Sequence, residues 1–338
     1  MTTRHTFAVV TCAALVAALY GGRTELRSAP QWRTTNRSAL RTVSQEPAQQ
    51  PTFRLMAEAV SLEVSVRNSN RRTYTGLKAA DFEVLDNGVR QEIVDVTFGK
   101  LPIDVTIALD VSYSVNGAML DRLRRAVTQL MRDLGKEDRL KLMLFNARVN
   151  RVVDFTQDIT VVEKALTTVA AGGGTTVYDT LSVAMVSASA PDRRQLVVCF
   201  TDGGDSNSAT DPEVLVDVAR RTRATVALVM PPLISGIEVR SFQPRTTTMI
   251  MPSARGPAAP LRDKLYATVV SETGGSRIGA GSSADLTQTF RAVLDDFRSA
   301  YVLYFRPKGV ERAGFHTLAV KVNKSGANVL ARKGYFGG

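Results

Sequence analysis

Cysteine, histidine and tryptophan are nearly absent from this 338-residue chain, which has two, two and one of them respectively. Cys12 lies in an apolar run near the start, so a chain that loses this leader keeps Cys199 alone and forms no internal disulfide. Zinc sites of Cys/His type are excluded on the same grounds, and stability must come from packed cores. His5 and His316 are the only histidines. They supply no base for hydrolysis, and no Ser, Cys or Glu nucleophile has an activator near it in sequence. A metal-dependent hydrolase is therefore the weakest of three functional readings, and the chain is read as a non-enzyme. His316 falls in an alternating segment and reads as a strand residue.

Negative charge is also in short supply: 43 Lys and Arg face 32 Asp and Glu, a formal charge of +11. That excess raises nucleic acid as a partner, but its distribution argues against a specific one. Arg23, Arg27, Arg33, Arg37 and Arg41 are scattered through a polar stretch that holds the single aromatic Trp32, and Arg122, Arg124 and Arg125 lie on a helix face with none, so aromatic residues do not interleave with the charges. A solvated basic surface, attracted to anionic envelope polymers, fits better.

Phe7 to Tyr20 is an uncharged apolar run of signal-peptide length, short for a membrane span. Residues 1–22 are read as a secretory signal or an N-terminal anchor if uncleaved. The Val-Val-Thr before Cys12 is a poor lipoprotein site. Residues 23–52, rich in Arg, Ser, Thr, Gln and Pro, read as a disordered basic linker. The location implied is extracytoplasmic: secreted, periplasmic or membrane-anchored.

What is present is ample apolar material, 44% of the residues, enough for roughly two domains. Val60, Leu62, Val64 and Val66 alternate with polar neighbours, as in a half-buried strand. Phe82 to Leu85 and Val89 to Phe98 flank Asp86-Asn87-Gly88, a hairpin turn requiring positive φ. Residues 53–99 are thus a β unit. From Ile103 the pattern changes. The runs Ile103 to Leu109, Leu140 to Phe145, Gln195 to Phe200 and Thr225 to Met230 alternate with amphipathic helices, such as the one carrying Met119, Leu123, Ala126, Val127 and Leu130. This predicts an α/β fold, a Rossmann-like doubly wound, mainly parallel sheet, with flanking small β-sandwich-like segments. Val149 to Phe155 follows closely enough to be an antiparallel edge. Residues 231–260 form a Pro-rich insertion, after which helix and strand alternate through Tyr301 to Phe305. Residues 308–338 are a C-terminal β segment, with 53–99 as a possible pairing partner.

The chemistry falls where strands end. In an open α/β sheet, loops at the carboxyl ends of strands converge and helix N-termini point toward the crevice. Asp110-Val-Ser112-Tyr-Ser114 follows one strand, Gly172-Gly-Gly-Thr175-Thr176 precedes a helix, and Thr201-Asp202-Gly203-Gly204-Asp205 follows another strand. Asp110, Ser112, Ser114, Thr175 and Asp202 form an oxygen-only donor set suited to Mg2+ or Mn2+, with Ca2+ possible. Three hydroxyls and two carboxylates do not saturate a divalent ion's demand for anionic donors. One coordination position stays electrophilic, and a carboxylate presented by a protein partner would complete it. Thr176 is the alternative to Thr175, while Asp179 reads as a helix-start residue and Asp205 as closing its loop.

These three segments resemble the metal-ion-dependent adhesion site of von Willebrand factor A domains. The resemblance covers 101–307. It implies a Rossmann-like fold in which Ser112 and Ser114 are direct ligands, Thr175 is a ligand in the partner-bound state, and Asp110 and Asp202 act largely through water. Gly76-Leu77-x-x-x-Asp81-Phe82 with its Asp-Asn-Gly hairpin, and the closing Arg332-Lys-Gly-Tyr335, are similar to a group of exported bacterial proteins related to this domain, described mainly in Acidobacteria. The Pro-rich insertion departs from the family pattern. The expectation is cation-dependent recognition of a protein partner at the cell envelope or outside it. The second reading is a structural or assembly subunit whose β flanks make the contacts, with the cation only stabilising the fold.

Overall fold

Apolar runs buried on both faces and alternating runs buried on one face produce two different kinds of sheet in this chain. A computed structural model describes residues 59–70, 72–99, 101–115, 117–187, 190, 192–230, 259–279 and 285–338. All of them fall in the unit Gln50–Gly338. The expected signal, the linker and nearly all of the Pro-rich insertion lie outside the described residues. Among the described residues, no helix is long and apolar enough to cross a membrane.

In chain order the first strands are β1 (Val60–Arg67), β2 (Phe82–Asp86), β3 (Val89–Gln91) and β4 (Ile93–Phe98). The α/β portion follows with β5 (Ile103–Asp110), α1 (Gly117–Asp133), β6 (Arg139–Phe145), β7 (Val149–Thr156), α2 (Ile159–Thr167) and α3 (Val177–Val186). It continues through β8 (Arg194–Phe200), α4 (Pro212–Arg221), β9 (Thr225–Met230), α5 (Ala259–Glu272), β10 (Ser276–Gly279) and α6 (Leu286–Arg298). The chain closes with β11 (Tyr301–Phe305), β12 (Gly314–Val322), β13 (Asn328–Ala331) and β14 (Gly334–Gly337).

The central sheet has the order β10-β9-β8-β5-β6-β7. Every pair in it is parallel except β6 with β7, the antiparallel edge. All eight positions of β5 are buried, because helices cover both faces. Val105, Ile107 and Leu109 pack into one core with Leu123, Val127 and Phe290, while Ala108 faces the other with Leu181, Leu215 and Tyr266. Helix α1 buries Leu120, Leu123, Ala126, Val127, Leu130 and Met131, at the three-and-four spacing that keeps one face on the sheet. Truncating Leu123 to Ala would cost about 2–5 kcal/mol by the usual range for core leucines. Asp158 accepts from Thr160 N at 2.8 Å and Asp285 from Thr287 N at 2.9 Å, capping α2 and α6, and Pro212 opens α4. Cys199 is fully buried in the second core, and burial pushes its thiol pKa well up, so it stays protonated.

The flanking strands make two four-stranded sheets, β13-β1-β11-β4 and β14-β12-β2-β3. Leu62, Val64, Leu303 and Phe305 of the first share a core with Phe82, Val84 and Leu318 of the second, giving a sandwich-like body. Asn87 and Gly88, with φ of 47° and 82°, make the tight β2–β3 turn. The expected strand histidine, His316, is buried in β12, with Nδ1 2.8 Å from Asp86 Oδ1. Tyr335 donates to Asp86 Oδ2 at 2.7 Å, so the Asp-Asn-Gly and Arg-Lys-Gly-Tyr motifs meet in one buried polar cluster.

One element departs from the sequence expectation. Tyr301–Phe305 does not continue the α/β alternation; β11 pairs antiparallel with β1 and β4 in the first flanking sheet. Its face opposite the sandwich core is covered too, Val302 being 4% exposed. Glu63, paired with Val302 in the register, reaches Arg194 Nε at 3.0 Å and accepts from Thr225 Oγ1 at 2.8 Å. Arg194 and Thr225 are the first residues of β8 and β9, so this sheet sits at the end of the parallel strands away from the converging loops.

Candidate metal centre

Because β5 is followed by β6 on one side while β8 lies on the other, the connections leaving β5 and β8 diverge and open a crevice at their carboxyl ends. Asp110, the last residue of β5, is fully buried there. Its Oδ1 accepts from Ser112 N at 2.9 Å and its Oδ2 from Thr201 Oγ1 at 2.8 Å. Burial raises the Asp110 pKa above the usual carboxylate range, and the Asp202 charge adds to the rise, against the hydrogen bonds from Ser112 and Thr201. The turn made by these bonds brings Ser112 Oγ, nearly buried, to 3.0 Å from the exposed Ser114 Oγ.

The glycine-rich loop is tied to this turn through its backbone. Gly172 N donates to Val111 O at 2.8 Å and Tyr113 N to Gly173 O at 3.3 Å. Gly174 has no room for a side chain, since a Cβ there would lie 2.0 Å from Asn207 Oδ1 and 2.8 Å from Ser206 Oγ. Thr175 follows, its N donating to Ser206 Oγ at 3.0 Å and its carbonyl accepting from Ser206 N and Asn207 N. No hydrogen bond among the described residues uses its hydroxyl. The Thr176 hydroxyl, by contrast, donates to Asn146 O at 2.9 Å.

The third loop holds the other two together. Asp202, half-buried, accepts from Gly204 N at 3.0 Å. Asp205 accepts from Tyr178 N at 3.0 Å and from Ser208 Oγ at 2.7 Å, so it caps α3 as well as closing its own loop. Asp179, in the first turn of α3, accepts from Ala209 N and Thr210 N, which leaves it engaged with backbone rather than facing the crevice donors. Sequence reasoning passed over Thr201. Its hydroxyl links Asp110 to Gly203 N, and the available signal was its place at the strand end, immediately before Asp202.

Of the five expected donors, the two serine hydroxyls, hydrogen-bonded to each other at 3.0 Å, have a spacing that can be compared with a cation's ligand shell. Two oxygens adjacent in an octahedral shell with bonds of about 2.1 Å stand about 3.0 Å apart, a separation larger for the longer bonds of calcium. The Ser112 and Ser114 hydroxyls have that spacing. Among the described residues no group of three or more His, Cys, Asp or Glu is placed to hold a metal. The candidate centre therefore depends on hydroxyls supplementing two carboxylates.

Fold and crevice together define a doubly wound α/β domain with an oxygen-lined site at its strand switch point. Residues 104–231 match the family model of the von Willebrand factor type A domain. Such domains generally mediate protein–protein interaction, are typically non-enzymatic and often bind a divalent cation. Similar solved structures include an aerotolerance-related membrane protein from Bacteroides fragilis with multiple mutations to serines, 17% identical over 58% of this chain and 98% of that one, with a TM-score of 0.42. A von Willebrand factor type A structure from Catenulispora acidiphila is 12% identical over 82% and 74% of the two chains, with a TM-score of 0.45. Proximal thread matrix protein 1 from the mussel byssus, solved with a zinc-occupied MIDAS motif, is 14% identical over 63% and 49%, with a TM-score of 0.45. No curated protein matches the chain.

Proposed function

We propose that this protein is a cation-dependent binding module that engages an acidic residue of a protein partner, at the cell envelope or outside the cell. Asp110, Ser112, Ser114, Thr175 and Asp202 hold Mg2+ or Mn2+, with Ca2+ as the larger alternative. The observation that carries the reading is the pair of serine hydroxyls 3.0 Å apart over a buried Asp110. Thr175 is preferred to Thr176 because the latter's hydroxyl is already directed at Asn146 O. A bound cation would supply an electrophilic position for a carboxylate. The chain's part is to hold the hydroxyls in place, to fix Asp110 through Thr201, and to keep the Gly-rich loop close. No step breaks a covalent bond. The N-terminal apolar run supports the extracytoplasmic placement, and the flanking motifs support the exported bacterial VWFA-related group. The domain limits proposed are 53–99 and 308–338 as the flanking body, with β11 added to it by its pairing, and the remainder of 101–307 as the α/β domain.

Calorimetric titration of the full chain with MgCl2 and MnCl2 tests the site. Binding should be saturable and abolished by Asp110→Ala combined with Ser112→Ala in a protein that keeps its circular dichroism. Binding that survives the double substitution refutes the ligand assignment. The structural reading draws support from Arg332, which donates to Thr222 O and Arg220 O at the end of α4 and so fastens the flank to the VWA domain. It predicts partner capture from an envelope extract that is insensitive to chelator and to Ser114→Ala.

A further inference from the structure

Arg262 lies in the first turn of α5, at the positive end of a helix that carries no acidic residue there, which is the least favourable place on a helix for a cation. Asp263, next to it, is paired with Arg277 at 3.0 Å. The Arg262 side chain is partly buried, and its Nε is buried with no hydrogen-bond partner. The hydroxyl of Tyr178, a residue of α3 only 4% exposed, is buried without a partner as well. These two leftover donors share one neighbourhood. Arg262 and Tyr266 stand on the same face of α5, four residues apart. A Cβ built on Gly203 would lie 3.4 Å from Tyr266 Cε2 and 3.9 Å from Arg262 Nε, and the Tyr178 and Tyr266 rings meet edge-on with centroids 6.1 Å apart. The Arg262 charge acts on both phenols, against the rise in pKa that burial gives each. Tyr266 is already engaged, donating to Gly203 O at 3.1 Å.

We propose that Tyr178 Oη, Arg262 and the first turn of α5 form a binding site for a small, singly charged anion, chloride or a carboxylate of formate size. A buried donor without an acceptor is costly, more so when it is charged, and an anion would satisfy both donors while neutralising the helix end. Asp205 limits the charge of the guest. It acts on the same two phenols in the sense opposite to Arg262, and its own bonds go to Tyr178 N, Ser208 N and Ser208 Oγ. A dianion would set a second negative charge against it, so a single charge is favoured. None of the five cation donors belongs to this site, and it does not rest on the cation-dependent reading.

The test is the line width of the chlorine-35 NMR signal of NaCl in the presence of the full chain, with EDTA added so that no divalent cation contributes. Wild type should broaden the line. Sodium formate should displace chloride and narrow it, and sodium sulfate at equal ionic strength should not; if formate fails to narrow the line, chloride is the guest. Arg262→Gln and Tyr178→Phe should each weaken chloride binding about tenfold, through the loss of one hydrogen bond to a charged group. Arg125→Gln removes the same charge from an exposed helix position and should leave the broadening unchanged. Tyr178→Phe is nearly isosteric and removes only an unpartnered hydroxyl, so it keeps the fold. Absence of broadening by wild type overturns the site. Broadening that survives Arg262→Gln or Tyr178→Phe, or that Arg125→Gln reduces as much as they do, overturns it too, because chloride is then only screening a basic surface.

Discussion

Replacing Thr201 with Val is the sharpest test of how the crevice is held together. Thr201 is fully buried and nearly isosteric with Val, so the substitution removes polar contacts while leaving the volume filled. Two hydrogen bonds disappear: the donation to Asp110 Oδ2 at 2.8 Å and the acceptance from Gly203 N at 3.0 Å. A bond to a carboxylate contributes about 1.5–3 kcal/mol and a neutral one about 1 kcal/mol, so the loss should be about 3 kcal/mol. For a unit of this size that lowers Tm by about 6–12 °C. Thr201→Ser keeps the hydroxyl and loses one methyl, which costs about 0.8 kcal/mol. Urea unfolding followed by circular dichroism in EDTA, where no cation contributes to stability, compares the two. If Val and Ser variants unfold within about 0.5 kcal/mol of one another, the hydroxyl does not hold Asp110 and the account of the loop geometry fails.

Two further perturbations address the rest of the unit. Arg332 donates to Gly334 O, Arg220 O and Thr222 O, and although burial pushes its pKa down to about 10 it stays charged at neutral pH. Arg332→Met should cost about 3 kcal/mol in urea unfolding through carbonyls left without donors, and Arg332→Lys should not restore it, because an ammonium cannot span the same carbonyls. Asp133 takes a two-pronged contact from Arg291, both bonds at 2.8 Å, which holds its pKa below the usual value of 3.8 with help from Gln129 and Arg298, against burial. A depressed folded-state pKa gives stability that is present above the unfolded-state value and lost as pH falls through the folded one. Asp133→Asn should therefore be less stable than wild type at pH 7, and the gap should close as denaturation is measured below about pH 4.

Local pattern made the fold class legible. Runs such as Leu196 to Phe200 read as doubly covered strands because five consecutive apolar residues leave no polar alternation, and all of them are buried. The three-and-four spacing in α1 marked its sheet-facing side. The same reasoning misplaced Tyr301–Phe305: both faces of β11 are covered, one by the sandwich core and one where Val302 and Glu63 meet the start of the parallel strands, so it resembles a central-sheet strand. Nothing within five residues distinguishes burial under helices from burial between a sandwich and a neighbouring domain.

Within the candidate centre, the closeness of Asp110, Ser112 and Ser114 was readable because they share one short turn. The seating of Thr175 was not, since it depends on Ser206 and Asn207, about thirty residues further along. Nor could spacing reveal that Asp205 caps α3 across the crevice or that Thr201 braces Asp110. Periodicity, turn chemistry and the oxygen-rich composition of three loops belong to the sequence itself, because they arise from backbone geometry and side-chain type within a few residues. Strand partners, the side on which β11 docks, and the hydrogen bonds that bind the three loops into one crevice were decided by tertiary packing, where register and burial select among contacts that local pattern leaves equivalent.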